Sequence, residues 1–583
     1  MKLRSEIPCE LWLSVALSLS SLAAQSAYPL PSSAIVGTQS ESSAPLLLPL
    51  RCVQAKLADR NTLEATQNLP LSFGVWDMLS IGPTSRFLFV PTEVPTKAGV
   101  FRFDVATGDV HVMMQGNGVA RTADPSNWSA SNDDYSKLDP TLLTTWGTIL
   151  TAEEQVGGRL FEVMNPYASS GFQVIWQSKI PAVKHEGLGF DANGALYFVD
   201  ESSSGSIYKF VPATNGDLSS GQSFVLRVDA YFADPAARPA EAWSSSQNTQ
   251  TTRVGVASWV PMTDAVGNAL TVADPFVFVT ATGGRDAADE LFATPYGRPE
   301  DLEVGVLASG NECLYVALTS EHVVLSIELT GSTSAVVRRF VDRTTTNLAT
   351  GSAIGTELAA PDNLAQDAFG YIYVVEDQEP GDLFKVIDAD RDGVAESMGR
   401  FASLDVAGAE PSGLIFDPND PYRCYLTVMN PASGNDAVWS VQTRPYPGVG
   451  AAWLELLVAP RLGDSLRAGV AEFVHDTQPG DAVTIAVDPA SLFVNRPFVV
   501  VAEPFVTSFG VVGWLPPAWL DPGRSLVLLS GSLSTLPMSP PYGGNAVTIP
   551  VPFGLAGLSV LAQSVAWDPG IGLIWSDGVE LTL

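Results

Sequence analysis

The feature that most constrains the fold of this chain is a repeated unit of two short strands joined by a polar turn, between about residues 70 and 445. Runs such as SRFLFVPTE at 85–93 are rich in β-branched and aromatic residues and end at Gly, Ser, Asn or Asp, which is the pattern of strands and turns. Several units contain the same Leu-x-x-Asp phrase, at 187–194, 363–370 and 413–420. Such repetition is the sequence signature of a β-propeller.

The repeat is irregular, because long insertions at 113–145 and 213–290 interrupt it. It is therefore not a regular array such as WD40. A β-sandwich also contains many short strands, but the recurrence of one phrase at the same place in each unit favours the propeller. We expect an all-β fold with an irregular six-bladed β-propeller at residues 70–445.

The tail of the chain has a different composition. From about residue 446 it contains Pro- and Gly-rich segments and strand-like runs such as RPFVVVAEPFV at 496–506, and the acidic turns disappear. A chain of 583 residues is also too long for one ordinary core. We predict a separate β-sandwich-like domain at 446–583, of the kind that attaches secreted enzymes to a cell surface or a polysaccharide.

The N-terminus resembles an export signal. An apolar run at 11–24 follows Lys2 and Arg4 and precedes small residues around Ala24. We therefore predict a signal peptide at 1–27, an N-terminal extension at 28–69, and a protein exported to the periplasm or the extracellular medium.

The net charge excludes one class of partner. With 31 basic against 63 acidic residues, the formal charge is −32. Nucleic acid is not an expected partner, because phosphate binding needs a basic face. The acidic excess suits cation binding, and it also serves solubility.

Carboxylates recur beside the short apolar strands. They follow WGTILTA at 146–152 and occur in four later acidic turns, at 185–201, 298–304, 361–377 and 410–418. A fold that returns these turns to one centre would build a ring of oxygen ligands, which hard metal ions prefer. Because side chains alternate along a strand, we expect only one of the adjacent Glu153 and Glu154 to face a shared site. Solvated surface acids are the alternative for this pair.

The order of these motifs resembles the PhoX-type alkaline phosphatase family, whose pattern is WGT-x-LT-C-EE, then HE, then RPE, then a late E-x-TG turn. The resemblance implies a β-propeller that uses calcium and iron to hydrolyse phosphate esters. It implies catalytic roles for Glu186 and Arg298, although Arg298 has the alternative of pairing with Glu300 or Asp301. The metal ligands that it implies are Glu153, Glu154, Glu186, Asp200, Glu201, Glu300 and Glu410.

One position departs from the family pattern. Ala152 stands where the family has a metal-binding cysteine. A thiolate favours iron, whereas carboxylates favour calcium. Calcium is therefore the expected cofactor, and iron would need another ligand in place of Ala152.

A second acidic motif is the DxDxDG sequence formed by Asp388, Asp390, Asp392 and Gly393. An EF-hand needs a glutamate at the twelfth loop position, which is Gly399 here, so the motif is not an EF-hand. Glu396, at the ninth position, could complete a shorter calcium loop. A plain acidic turn is the alternative.

We expect a secreted metal-binding propeller of PhoX-like type that hydrolyses a small phosphate ester or acts on another anionic substrate. Two alternatives stay open: a calcium-dependent lactonase-like propeller with Asn363 among its ligands, and a non-catalytic secreted binding module. The chain has no G-x-S-x-G elbow and no HExxH motif, so a serine hydrolase and a zincin have no motif support.

Overall fold

A computed structural model describes residues 29–38, 40–49, 52–234 and 253–442, together with the backbone of eight strands between residues 453 and 582. The chain divides into two compact units, Met1–Arg444 and Pro445–Leu583. The predicted signal peptide lies outside the described residues. No helix among the described residues is long and apolar enough to cross a membrane.

The first unit is built almost entirely from β-strands. Its described strands are β1 (Leu46–Leu47), β2 (Val53–Asp59), β3 (Ser80–Ile81), β4 (Phe87–Pro91), β5 (Gly99–Asp104), β6 (Val110–Gln115), β7 (Leu138–Leu143), β8 (Ile149–Glu153), β9 (Leu160–Val163), β10 (Val174–Trp176), β11 (His185–Phe190), β12 (Leu196–Asp200), β13 (Ile207–Thr214), β14 (Asp217–Val228), β15 (Gly255–Pro261), β16 (Pro299–Val306), β17 (Glu312–Leu318), β18 (Val323–Leu329), β19 (Ser334–Val341), β20 (Thr346–Asn347), β21 (Pro361–Gln366), β22 (Ile372–Glu376), β23 (Asp382–Ile387), β24 (Ser397–Leu404), β25 (Glu410–Phe416), β26 (Arg423–Met429) and β27 (Ala437–Gln442). Its described α-helices are short: α1 (Arg60–Thr66), α2 (Asp229–Ala233) and α3 (Gly283–Glu290).

These strands form small antiparallel sheets in a propeller-like arrangement, which confirms the all-β prediction. Three sheets have the orders β3-β4-β5-β6, β7-β8-β9-β10 and β2-β27-β26-β25. A fourth has the order β21-β22-β23-β24, with β1 and β20 beside β24. The largest sheet has nine strands in the order β11-β12-β13-β14-β15-β19-β18-β17-β16. Strand β2 pairs with β27, the last strand of the unit, and so ties its two ends together.

The strands β3, β7, β11, β16, β21 and β25, here called the inner strands, form a ring. Each of them contacts the next one in chain order, and β25 contacts β3. Together they surround a cavity of about 370 Å³ whose lining includes residues from all of the inner strands. Apolar clusters fill the space between neighbouring sheets; one of them packs Phe89 and Val100 against Ile149 and Phe161. The apolar core is therefore distributed between the sheets, around the cavity.

The second unit contains two sheets. One has the order β28-β30-β33 and the other the order β29-β35-β34-β31-β32. Their strands are β28 (Trp453–Ala459), β29 (His475–Asp476), β30 (Ala482–Asp488), β31 (Pro497–Phe505), β32 (Leu526–Ser532), β33 (Ala546–Pro550), β34 (Ser559–Asp568) and β35 (Gly572–Thr582). The unit is therefore β-rich, and a sandwich remains a prediction for it.

Two carboxylates of the inner strand β16, Asp301 and Glu303, line the cavity. Burial raises the pKa of Glu303 from 4.5 to about 7. Below pH 4.5 both the folded and the unfolded chain keep this proton. Between pH 4.5 and about 7 the unfolded chain releases this proton while the folded chain still holds it. The folded state therefore becomes less stable relative to the unfolded state as the pH rises through this range.

We therefore expect Glu303→Gln to stabilise the metal-free protein above pH 7 and to leave its stability unchanged near pH 4. The difference in Tm at high pH should be roughly 2 °C or more. Thermal unfolding at several pH values measures it, with Glu64→Gln on helix α1 as the control. A Tm difference that does not depend on pH would contradict the assignment.

Candidate functional site

Four inner strands begin with the same irregularity. In β7, β11, β16 and β21 the pairing with the neighbouring strand shifts after the first residue and resumes at the fourth, which is a β-bulge. The second residue of each strand therefore leaves the regular alternation of the ladder. That residue is acidic in all four strands: Asp139, Glu186, Glu300 and Asp362. The bulges thus present one carboxylate from each of these strands.

Three of these carboxylates meet. Oxygen atoms of Glu186, Glu300 and Asp362 lie within 4.8 Å of one another. Gly187 permits this approach, because a Cβ atom there would lie 2.4 Å from the backbone nitrogen of Leu302. Glu186 and Glu300 are buried, and neither carboxylate oxygen of Glu300 accepts a hydrogen bond. Burial and the neighbouring negative charges raise the pKa of Glu186 and Asp362 well above the usual range.

Further carboxylates extend this cluster. Burial raises the pKa of Asp77 to about 7, although a hydrogen bond from Ser412 acts in the opposite direction. Burial and the nearby Asp377 together raise the pKa of Glu410 to about 9. Burial and Asp77 also raise the pKa of Asp139 well above the usual range. We call the seven carboxylates Asp77, Asp139, Glu186, Glu300, Asp362, Asp377 and Glu410 the acidic cluster.

The acidic cluster has little compensating positive charge. Among the ion pairs of the described residues, only Glu300 has a basic partner, because Nη2 of Arg298 lies 3.0 Å from its Oε1. Like charges at this density in a partly buried site destabilise each other unless protons or cations compensate them. Oxygen ligands in such number match what calcium and magnesium bind.

A second group of acids alternates with basic residues, and we call it the paired arc. Lys137 contacts Glu93 and lies 3.0 Å from Glu154, and Lys184 contacts Glu154 and Glu201. Arg298 Nε donates to Glu201 Oε1 at 2.7 Å. Although burial opposes it, the hydrogen bond with Glu93 and the charges of both lysines lower the pKa of Glu154 to about 2. The paired arc and the acidic cluster meet at Arg298 and Glu300.

Two of the predicted ligands are occupied by arginines instead. Glu153 accepts hydrogen bonds from Arg159 Nη2 at 2.8 Å and from Arg121 Nη2 at 2.8 Å. Asp200 accepts from Arg285 Nε at 2.6 Å and from Arg285 Nη2 at 2.8 Å. Glu154 and Glu201, the next residue in each case, belong to the paired arc. The structure therefore separates each predicted acidic pair into an arginine-bound member and one that faces the arc.

The position of Ala152 also lies apart from the carboxylates. Ala152 is fully buried in an apolar cluster that includes Leu150, Leu160 and Leu188. Cys313 and Cys424 lie in two other apolar clusters. In the part of the chain that the structure describes, no thiol therefore accompanies the acidic cluster, and its donor set fits a hard cation but not iron held by a thiolate.

The DxDxDG turn brings Asp388, Asp390 and Asp392 together, with oxygens within 4.8 Å of one another. The turn also bonds to itself, because the backbone nitrogen of Gly393 donates to Asp388 Oδ2 at 3.0 Å and that of Ala389 donates to Glu396 Oε2 at 2.9 Å. These bonds are compatible with a calcium loop and with a plain acidic turn. The motif lies on the loop between β23 and β24, away from the start of the inner strands.

Sequence reasoning missed five carboxylates that lie in the acidic cluster or the paired arc: Asp77, Glu93, Asp139, Asp362 and Asp377. A signal was present for two of them. In one unit Glu186 lies two residues before the leucine of the Leu-x-x-Asp phrase, and in another unit Asp362 lies at the same offset. The same offset before Leu79 gives Asp77, and before Leu302 it gives Glu300.

Two similar solved structures match the chain at low identity and low TM-score. A gluconolactonase from Xanthomonas campestris is 12% identical over 69% of this chain and 97% of its own, with a TM-score of 0.33. A structure titled as a putative phosphatase from Bacteroides thetaiotaomicron is 13% identical over 67% of this chain and 78% of its own, with a TM-score of 0.32. Likeness at this level carries no functional argument.

No curated protein matches the chain. A family model does match it, over residues 164–431, and its description is alkaline phosphatase PhoX. The matched segment includes Glu186, Glu300, Asp362 and Glu410 of the acidic cluster. The resemblance read from the order of the sequence motifs is thereby confirmed for residues 164–431, which match the model of the PhoX family.

Proposed function

We propose that this chain is a calcium-dependent phosphatase that hydrolyses small phosphate esters on the axis of a six-bladed propeller. The observation that carries the proposal is the acidic cluster, in which seven carboxylates converge with one basic partner among the described residues. The family match supports the same chemistry.

The order of strands in the nine-stranded sheet supports the proposal of six blades. Its strands β11–β14 and β16–β19 each have the order of one blade, counted outward from an inner strand. Strand β15 joins the two outermost strands, β14 and β19. With the four smaller sheets this gives six blades, one for each inner strand in the ring.

Glu186, Glu300 and Asp362 would hold the first calcium ion, because their oxygens already lie within the span of one coordination shell. Asp77, Asp139, Asp377 and Glu410 would hold further cations or bind their waters. A calcium ion supplies positive charge that neutralises the phosphate and polarises its oxygens. Glu186 would act in catalysis through the cation that it holds.

Arg298 is the candidate for binding the phosphate. It precedes β16 with a φ of 54°, a left-handed conformation that a residue other than glycine adopts only when its surroundings enforce it. Its side chain is 39% exposed, while its guanidinium reaches Glu201 and Glu300. A planar guanidinium can form two parallel hydrogen bonds to a phosphate. Arg298 would therefore hold the substrate beside the cation site.

Export and attachment complete the proposal. The N-terminal sequence predicts secretion, where calcium is plentiful, and the second unit would attach the enzyme to a surface or a polysaccharide. Loss of reporter export on deletion of residues 1–27 would test the first of these points.

We expect Glu300→Gln to weaken calcium binding by more than about 10-fold, because the neutral amide keeps the shape of the side chain but removes its charge. Turnover of p-nitrophenyl phosphate should fall at calcium concentrations that saturate the parent protein. Calorimetric titration of metal-stripped protein and a phosphatase assay measure the two effects, with Glu64→Gln as the control.

Parent protein that binds no calcium and has no phosphatase activity would contradict the proposal. Calcium binding with hydrolysis of a lactone and not of a phosphate ester would establish the lactonase-like alternative instead. Calcium binding without either activity would favour a binding module.

We expect Arg298→Gln to lower kcat/KM for p-nitrophenyl phosphate by roughly 100-fold, because a charge that stabilises the phosphoryl group is lost. Calcium affinity should be retained or increased, since the arginine competes with cations for Glu300. Steady-state kinetics and calcium titration check this, with Arg338→Gln, which removes the ion pair to Glu328 on β18, as the matched control. Unchanged kcat/KM would leave Arg298 with a purely structural role.

A further inference from the structure

The lysines of the paired arc occupy equivalent positions in successive units of the fold. The backbone carbonyls of Lys137 and Lys184 accept hydrogen bonds from the backbone nitrogens of Glu154 and Glu201. The carbonyl of Ala360 accepts in the same way from Asp377. Each of these three residues stands two positions before the bulge carboxylate of its inner strand. The fold therefore offers one such position in each unit and fills it with different side chains.

The identity of this residue divides the ring into halves. Where it is Lys137 or Lys184, an ammonium group bridges two carboxylates of neighbouring units. Where it is Ala360, no base is supplied, and Asp362 and Asp377 have no partner among the ion pairs of the described residues. Charge compensation in each unit therefore depends on which residue type occupies this repeated position.

We infer that the Lys137 and Lys184 ammonium groups take the places of bound cations in the carboxylate ring, so that within this ring calcium binds only in the acidic cluster. The inference rests on the proposed function in treating the acidic cluster as a calcium site.

The physical reason is electrostatic. An ammonium between two carboxylates satisfies both with one positive charge, and its hydrogens occupy the oxygen lone pairs that a metal would need. A divalent ion beside it would meet the repulsion of a positive charge a few ångströms away, in a partly buried site where screening is weak. The lysines therefore exclude calcium from the paired arc as well as neutralising it.

A different role for these lysines is binding the phosphate of the substrate. The two roles make opposite predictions for calcium stoichiometry, because an anion-binding lysine can be removed without creating a cation site. The inference requires that removing the Lys184 ammonium frees Glu154 Oε1 and Glu201 Oε2 as calcium ligands, while Lys137 and Arg298 keep the other oxygen of each carboxylate.

We expect Lys184→Met to bind about one more calcium ion per chain than the parent protein, since the freed oxygens supply the ligands that calcium prefers. Its Tm in the absence of calcium should be lower than that of the parent, and calcium should raise it by a larger amount. Lys137→Met, which frees Glu93 and Glu154, should behave in the same way. Calcium content by mass spectrometry, calorimetric titration and thermal unfolding measure these effects.

The matched control is Lys56→Met, because Lys56 lies 2.9 Å from Asp59 in an ion pair outside the ring. It should leave calcium content unchanged. Lysine variants that bind no additional calcium, or that fail to fold even when calcium is present, would overturn the inference. A parent protein without any bound calcium would instead contradict the proposed function, so the two failures are distinguishable.

Discussion

The convergence of buried carboxylates on the axis is the constraint on which the rest of this structure depends. The ring of inner strands brings their first residues close to one another, and the repeated bulge turns an acidic side chain out of each of four strands. Without compensation such a group would push the inner strands apart, because each charge is partly removed from water. The fold must therefore supply protons, bases or cations at its centre.

The negative charge of the carboxylates is compensated in two different ways around the ring. In the paired arc, Lys137 and Lys184 lie between glutamates and compensate part of their charge, although burial and Glu154 still raise the pKa of Glu93 to about 9. In the acidic cluster the pKa of Asp77, Glu186 and Asp362 is raised, which is the response of carboxylates that lack a positive partner. A group that holds protons at neutral pH in the absence of metal is one that a divalent cation can bind by displacing them.

Local patterns predicted much of the fold, and they failed where the answer depended on distant residues. Alternating strands, turn residues and the Leu-x-x-Asp phrase identified the propeller-like unit, and the HE and RPE motifs identified Glu186 and Glu300. The sequence could not show that Glu153 meets Arg121, because that contact depends on how the 113–145 insertion folds back.

The missed carboxylates have a related explanation. Asp139 precedes a proline and lies in a segment without the repeated phrase, so only the bulge of β7 shows that it is equivalent to Glu186. Asp77 depends on the packing of β25 against β3, where Gly413 has a φ of +57° and approaches the backbone of Asp77 closely. The equivalence of these carboxylates depends on the strand register and on how the inner strands pack in the ring. It can therefore be recognised only once the pairing of the strands is known.

The boundary between the two halves of the ring is where chemistry is best placed. Arg298 ends the paired arc and touches Glu300, the first member of the acidic cluster along the chain of ion pairs. A phosphate that binds there would meet a guanidinium on one side and a cation held by Glu186, Glu300 and Asp362 on the other. Two fixed positive groups around one anion are what phosphoryl transfer requires, because charge is spread over several oxygens in the transition state. Under the proposed function, the division of the ring would set a fixed base beside an exchangeable cation.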